Sequence, residues 1–166
     1  SRSVVGTVTL SVDLHRDDAD AITLNRGSLE IDSVREGGSA RPFIVDGNRV
    51  RITLPPPRSR TRTLTISYHG TPKSGLVFVP EREQIYTIFS TSQWMVALDD
   101  PGARATLRLR LIMPDGWTGA ASGRHVSRRL VSPDKAVVEW RVERPVPTYT
   151  FGFAAGRFDE IEDRSS

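Results

Sequence analysis

The stretch Thr7-Val8-Thr9-Leu10-Ser11-Val12-Asp13-Leu14 alternates strictly between polar and apolar side chains. Because successive side chains of a strand point to opposite faces, this alternation predicts a half-buried β-strand whose valines and leucines face a core. Nowhere does a long segment of the chain show the 3.6-residue period of an amphipathic helix. The strand pattern therefore decides the fold class, and we predict an all-β protein.

Further short apolar runs follow this strand, separated by turn-forming residues. Asp46-Gly47-Asn48 stands between the runs 43–45 and 50–54, and an Asp-Gly pair in such a position predicts a β-hairpin. Ser132-Pro133-Asp134-Lys135 predicts a second hairpin. Other strands are expected at 21–24, 28–34, 63–68, 76–79, 84–89, 107–111 and 148–154. The pattern indicates about ten strands and a single β domain over residues 1–166, since no linker-like tract divides the chain.

The composition, with 37% hydrophobic and 26% charged residues, is that of an ordinary globular protein. No apolar run approaches the roughly 18 residues that a membrane-spanning helix needs. The chain contains no cysteine, which excludes disulfides, thiol nucleophiles and cysteine-ligated zinc. His15, His69 and His125 are scattered, whereas a zinc site needs converging ligands, so we expect no metal site in these residues.

Arginine dominates the basic residues, because only Lys73 and Lys135 of the 23 are lysines. Arginines alternate at 58, 60 and 62 and again at 108 and 110, which would place guanidinium groups on one face of each strand. Such rows can contact phosphates. No aromatic side chains are interleaved with them, as a stacking platform for bases requires. We therefore interpret the rows as solvated outer faces and expect no nucleic-acid partner.

The C-terminal half carries more specific strings. Pro147–Phe158 reads PTYTFGFAAGRF, Leu98–Pro101 reads LDDP and Pro114–Gly116 reads PDG. In this order they resemble the P-x-(S)T-Y-L-x-A-F-x-V-G-x-F signature, the D-E-P string and the following turn of one family's N-terminal domain. That family is the M1 zinc aminopeptidases, the group that includes aminopeptidase N and leukotriene A4 hydrolase.

Upstream strings extend this resemblance over nearly the whole chain. Val5–Leu10 reads VGTVTL, Ile22–Val34 reads ITLNRGSLEIDSV and Leu64–Gly70 reads LTISYHG. They are similar to the family's G-x-V-x-I, I-x-L-(N/H)-x-x-x-L-x-I-x-x-V and L-x-I-x-Y-x-G strings. The order and spacing of the strings, more than any one of them, carry the resemblance.

The resemblance implies a curved antiparallel β domain, shaped like a bowl or saddle, that packs on a separate helical metallopeptidase domain and closes one side of its substrate cleft. In the family, the H-E-x-x-H helix and the G-x-M-E-N strand belong to that second domain, and neither motif occurs in these 166 residues. We therefore expect a non-catalytic N-terminal domain whose first strand has been cut off. Its expected partners are the catalytic domain of the same polypeptide, which would hold the zinc, and the N-terminus of a peptide substrate.

The resemblance also implies one substrate-binding residue. Aligning Phe89-Ser90-Thr91-Ser92-Gln93 with the family's F-S-Q-C-Q segment places Gln93 at the position that accepts hydrogen bonds from the free α-amine of the peptide. An amide oxygen is a suitable acceptor for an ammonium group. Only 94–98 separate Gln93 from Asp99, a shorter segment than the family has. The alternative is an ordinary strand-end amide beside a packed Trp94.

Two other functions stay open at this point. One is an independent β-sandwich module for binding or adhesion, which would have a polar surface all round. The other is a degenerate M1-like protein that serves as a scaffold. An exposed apolar patch of several hundred Å² would instead favour docking on a catalytic domain.

Overall fold

The computed structural model describes residues 2–14, 19–56 and 60–158. This part of the chain forms fourteen β-strands and three short 3-10 helices. The strands are β1 (Val4–Asp13), β2 (Ala21–Asn25), β3 (Glu30–Glu36), β4 (Ser39–Ala40), β5 (Phe43–Asp46), β6 (Arg49–Thr53), β7 (Thr61–Gly70), β8 (Leu76–Val79), β9 (Gln84–Thr87), β10 (Arg104–Pro114), β11 (Thr118–Ala121), β12 (Arg124–Ser132), β13 (Lys135–Pro147) and β14 (Phe153–Gly156). The 3-10 helices are Pro80–Arg82, Thr91–Gln93 and Thr148–Thr150.

The strands form four antiparallel sheets, which we name after one central strand of each. The β7 sheet has the order β1-β7-β3-β4 and the β6 sheet the order β2-β6-β5. The β9 sheet has the order β11-β14-β9-β8 and the β13 sheet the order β10-β13-β12. All pairings are antiparallel, so the predicted all-β, antiparallel fold class is confirmed. The strand number exceeds the expected ten because several strands are short, β4 having only two residues.

The core follows from the alternation of the strands. On β7 every second residue is buried, and Leu64 and Ile66 have no exposed surface. Val50 and Ile52 of β6 are likewise completely buried, and each such side chain contributes about 1.5–3 kcal/mol through removal from water. A second cluster, formed by Met113, Val138, Trp140 and Ala155, lies between the β13 and β9 sheets. The predicted strand at 7–14 is β1, whose inward residues are half-buried.

Both predicted hairpins are confirmed. β5 and β6 are joined at Gly47, whose φ of 53° lies in the left-handed region that glycine tolerates best. β12 and β13 are joined by the turn at 133–134.

Two sequence-based expectations are wrong in detail. The strand expected at 84–89 ends at Thr87, and the strand expected at 148–154 begins only at Phe153. Phe89 and Ser90 adopt positive φ values, which end β9. Residues 148–150 form a 3-10 helix, and Thr150 Oγ1 donates a hydrogen bond to Pro147 O over 2.7 Å. Local side-chain hydrogen bonds of this kind compete with strand pairing.

The expected row of exposed arginines at 58, 60 and 62 is also wrong. Arg58 lies outside the described residues, and Arg62 is buried with 7% exposure. Arg62 points inward because β7 alternates in register with Leu64, and its charge is neutralised by Glu36 of β3. Arg62 Nη2 donates to Glu36 Oε2 over 2.8 Å, and Arg41 Nε reaches the same oxygen over 2.8 Å. Within the described ranges, no helix is long and apolar enough to cross a membrane.

Candidate functional site

Gln93, the residue that the resemblance singles out, ends the 3-10 helix Thr91–Gln93, shortly after β9. The two residues before this helix have left-handed backbones, with φ of 46° at Phe89 and 52° at Ser90. Left-handed conformations cost energy for residues other than glycine and cluster at functional sites. The backbone N–H of Gln93 donates to Ser90 O over 2.9 Å, and that of Ile88 donates to Gly75 O over 3.0 Å. These bonds hold the strained turn in place.

Threonine hydroxyls connect the turn at 88–93 to residues 148–151 through hydrogen bonds. Thr91 is completely buried, and its Oγ1 lies 2.8 Å from Thr148 O and 3.2 Å from Phe151 O, between which its proton is shared. Thr148 Oγ1 in turn donates to Leu98 O over 2.7 Å. The segment 88–98 is therefore a well-supported structure, although it contains no strand.

Trp94, the residue after Gln93, is packed in the core. It is 4% exposed and meets the Phe153 ring edge-on, with ring centroids 5.2 Å apart. Such aromatic pairs add about 0.5–1.5 kcal/mol beyond their burial. The 3-10 helix is thus held by the contact between Trp94 and Phe153 and by the hydrogen bonds of its own first residue, Thr91.

The side chain of Gln93 lies in a slot between two glycines. A Cβ atom at Gly27 would stand 2.8 Å from Gln93 Cδ, and one at Gly75 would stand 2.8 Å from Gln93 Cβ. Both glycines have positive φ, 55° and 73°. Ser74 Oγ donates to Gln93 Oε1 over 3.4 Å, a long hydrogen bond. An amide oxygen has two lone pairs, so Oε1 keeps the capacity to accept a second hydrogen bond.

Buried polar atoms without a hydrogen-bond partner concentrate near this slot. Among the described residues they are Arg26 Nε, Ser28 Oγ, Trp94 Nε1 and Asp99 Oδ1. They lie on the segments 25–29 and 94–99, which are joined by paired backbone bonds between Asn25 and Ala97 of 2.8 and 3.0 Å. Native proteins keep such atoms rare, and a bound water or a ligand group is one way in which they are satisfied.

Exposed apolar side chains surround the same turn. Ile88, Phe89, Leu98 and Tyr149 are 48%, 77%, 43% and 44% exposed. Phe89 and Tyr149 line an open hollow of about 320 Å³ together with residues 150–152. A second, wider hollow of about 650 Å³ adjoins it at Thr87 and Gly152 and extends over β9, β11 and β14. Exposed apolar side chains grouped around one turn are a feature of surfaces that contact other domains or proteins.

Among the described side chains, no group of three or more His, Asp or Glu residues is arranged to hold a metal ion. His69 Nδ1 lies 2.7 Å from Asp32 Oδ1, and its Nε2 lies 3.6 Å from Glu30 Oε2, on an exposed face of the β7 sheet. His125 contacts the Trp140 ring, with centroids 5.9 Å apart. His15 lies outside the described residues. The described part of this chain therefore does not fit a resident zinc ion.

The turn before Pro101 shows what the neighbouring carboxylates do. Asp100 Oδ1 accepts a hydrogen bond from the Gly102 backbone N–H over 2.7 Å, which stabilises the turn. The backbone N–H of Asp99 donates to Asn25 Oδ1 over 3.1 Å, which binds this short segment to β2. The few residues after Gln93 thus lead directly back to the β6 sheet.

No family model matches the sequence. The fold nevertheless matches solved structures over almost its full length. An M1 zinc metallopeptidase from Deinococcus radiodurans is 25% identical, with a TM-score of 0.78, and the match covers 92% of this chain and 37% of that chain. A two-domain M1 zinc metallopeptidase in complex with L-tryptophan is 24% identical, with a TM-score of 0.81, over 94% of this chain and 39% of that one. Yeast LTA4 hydrolase in complex with bestatin is 16% identical, with a TM-score of 0.77, over 93% and 26%.

These matches define the class of the molecule: it is an all-β domain with the fold of the corresponding part of M1 zinc metallopeptidases and LTA4 hydrolase. The chain matches the N-terminal part of the M1 metallopeptidases, so the resemblance seen in its sequence strings is confirmed. It spans less than two fifths of the length of each of these proteins.

Proposed function

We propose that this chain is the non-catalytic N-terminal domain of an M1-like zinc metalloaminopeptidase, which packs on the catalytic domain and shapes the cleft that holds the peptide N-terminus. The observation that carries the proposal is the structural match over 92% of this chain but only 37% of an M1 metallopeptidase at 25% identity. The remainder of such a polypeptide would contain the zinc ligands.

The apolar surface around Phe89 supports docking on a second domain. A polar surface all round would favour an independent binding module, whereas Phe89 is 77% exposed beside a hollow lined by Tyr149. Covering such side chains removes apolar area from water. Phe89 belongs to this surface and precedes Gln93 by four residues, so a domain docked there would lie close to the turn that carries Gln93.

The slot around Gln93 supports a role as acceptor for the substrate amine. Two glycines and Ser74 restrict the side chain, and a restricted acceptor loses little conformational freedom on binding. An ammonium group donates short, charge-assisted hydrogen bonds to such an oxygen. Peptides without a free N-terminus would lack this interaction.

The test uses the full-length polypeptide encoded by the parent gene, which should contain an H-E-x-x-H motif downstream of Ser166. Gln93→Ala should raise KM for peptides with a free amine about tenfold or more, because a charge-assisted hydrogen bond contributes about 1.5–3 kcal/mol. Gln84→Ala, at the chain's only other glutamine, should leave KM unchanged. Unaltered KM and kcat in Gln93→Ala would remove Gln93 from the site.

The isolated chain provides a separate test of the domain assignment. It should hydrolyse no aminoacyl chromogenic substrate and bind no zinc stoichiometrically in equilibrium dialysis. Chelator-resistant turnover that copurifies with the pure chain would contradict a non-catalytic role. A parent gene without the downstream zinc motif would favour the degenerate scaffold.

A further inference from the structure

The outer face of the β13 sheet carries an ordered array of arginines. The strand register places Arg108, Arg141 and Arg124 side by side in one row across the three strands. The next row contains Arg110, Glu139 and Ser127, and the third contains Ile112, Val137 and Arg129. We call these three rows the arginine face. Like charges directly opposite each other on a sheet are destabilising, so this arrangement needs compensation within the sheet or from a partner.

Glu139 provides part of that compensation. Its side chain is only 7% exposed and lies among three guanidinium groups. Arg108 Nε donates to Oε1 and Arg110 Nε to Oε2, both over 2.8 Å, and Arg141 Nε donates to Oε1 over 2.9 Å. The hydrogen bonds from Arg108 and Arg110, with a further one from Arg141, lower the pKa of Glu139 to about 2. Glu139 is therefore ionised at neutral pH and holds the three guanidinium groups in fixed positions.

The compensation is incomplete. The three rows contain five arginines and one glutamate, and Arg124 Nη2 also pairs with Glu143 Oε1 over 3.0 Å. The three rows thus have a net charge of +4, or +3 when Glu143, which lies outside them, is counted. The formal charge of the entire 166-residue chain is also +3. An excess of positive charge therefore lies on this face, and such an excess attracts and orients anionic partners.

The guanidinium groups of Arg108 and Arg110 keep N–H donors that Glu139 does not use. The side chains of Arg108 and Arg110 are each 54% exposed, and their hydrogen bonds to Glu139 use Nε. A guanidinium group carries four more N–H donors on its two Nη atoms. Arginine is suited to planar, two-point recognition of carboxylate and phosphate groups. Held by Glu139, these side chains would lose little freedom when a second anion binds.

The composition of the face selects among anionic partners. It contains no aromatic side chain in its three rows, so the bases of a single-stranded nucleic acid would have nothing to stack on. It already binds a carboxylate, that of Glu139. Arg108 and Arg110 are two residues apart on one strand, which corresponds to about 6.7 Å, the same distance that separates alternate side chains of any extended peptide.

We propose that the arginine face binds an extended acidic polypeptide segment, whose alternate carboxylates pair with Arg108 and Arg110. This interaction is distinct from the apolar surface around Phe89 and does not depend on the proposed peptidase role.

The test measures fluorescence anisotropy of a labelled ten-residue peptide of alternating Glu and Ser titrated with the purified chain. The peptide should bind, and its affinity should fall steeply between about 25 and 150 mM salt because exposed charges are screened. Arg108→Gln with Arg110→Gln should weaken binding at least about tenfold. The matched control is Arg49→Gln with Arg51→Gln, which removes two exposed arginines at the same spacing from β6. This control should change the affinity less than about twofold.

The proposal would be overturned if the Glu-Ser peptide did not bind, or if the two double variants lost equal affinity for it. Equal affinity for a peptide in which the five Glu precede the five Ser would also overturn it. So would tighter binding of duplex DNA or of phosphatidylserine vesicles than of the Glu-Ser peptide. If Arg108→Gln with Arg110→Gln does not fold, Arg124→Gln with Arg129→Gln replaces it. Those two arginines do not contact Glu139 through the hydrogen bonds described above, and their loss should still weaken peptide binding severalfold. An unchanged affinity in that variant would refute the proposal equally.

Discussion

Replacing Glu36 with glutamine should remove stability that depends on pH. The Glu36 carboxylate is 15% exposed and accepts hydrogen bonds from Arg62, whose side chain is 8% exposed, and from Arg41. The hydrogen bond from Arg62 is the main reason that the pKa of Glu36 falls from 4.5 to about 2. At about 1.4 kcal/mol per pH unit, this lowering corresponds to about 3 kcal/mol at neutral pH. Solvent screening of the pair reduces the expected value to about 2 kcal/mol.

The sign of the effect follows from the lowered pKa. A carboxyl group with a lower pKa in the folded state stabilises the fold above its unfolded pKa, and this contribution disappears as the pH falls from about 4.5 to about 2. Urea unfolding followed by tryptophan fluorescence should show Glu36→Gln less stable than the native chain by about 2 kcal/mol at pH 7. The difference should shrink towards zero near pH 2.

The matched control is Glu81→Gln, which neutralises an exposed carboxylate in the 3-10 helix Pro80–Arg82. It should change stability by less than about 0.5 kcal/mol at every pH. A difference between native and Glu36→Gln chains that stays constant from pH 7 to pH 2.5 would refute the linkage, because it would mean that Glu36 acts through packing alone. A difference below about 0.5 kcal/mol at pH 7 would show that the pair contributes no more than an ordinary surface ion pair.

Two further substitutions test the support of the Gln93 turn. Gly27→Ala and Gly37→Ala change glycines of nearly equal φ, 55° and 54°, but only the first would place a Cβ against Gln93. Both variants should lose about 1 kcal/mol of unfolding free energy because of the left-handed backbone. In urea unfolding, Gly27→Ala should lose at least about 1 kcal/mol more, because of the contact with Gln93. Equal losses would show that Gln93 moves aside freely. Thr91→Val preserves the shape of the side chain but removes the hydroxyl that bonds Thr148 O and Phe151 O, so it should lower the free energy of unfolding by about 1–3 kcal/mol. Thr9→Val, at an exposed position, should lower it by less than about 0.5 kcal/mol. No loss of stability in Thr91→Val would mean that the turn is held by Trp94 alone.

Local sequence patterns predict the fold correctly where the conformation favoured by a short segment is the one that its tertiary contacts also require. The hairpin at Gly47 combines a turn that needs positive φ with apolar runs on both sides, so a short window contains all the information. The alternation of β1 and β10 likewise shows directly which side chains face inward. The resemblance of several strings to one family added the match to the N-terminal part of M1 metallopeptidases, which no periodicity contains.

The parts that local patterns miss depend on distant contacts. Ile88 and Phe89 read as a continuation of β9, yet the buried hydroxyl of Thr91 binds carbonyl groups about sixty residues away and holds the chain in a turn. Arg62 reads as part of an exposed row, yet it forms an ion pair with Glu36 of the neighbouring strand β3. A lone sequence shows neither partner. The register of β7 decided the direction of Arg62, and the alternation of Leu64 and Ile66 would have predicted it.

The short segment after Gln93 is the point at which local structure bears most directly on the proposed function. A longer loop would need its own contacts to hold the Gln93 amide, whereas here the chain returns to β2 within a few residues through Ala97 and Asp99. The amide is consequently positioned by Gly27 and Gly75, which lie outside the loop. If Gln93 accepts the substrate amine, substitutions at Gly27 should change KM while leaving kcat nearly intact, because the acceptor would move without any change in the catalytic domain. If Gln93 only packs, the same substitutions should change stability and leave both constants as they are.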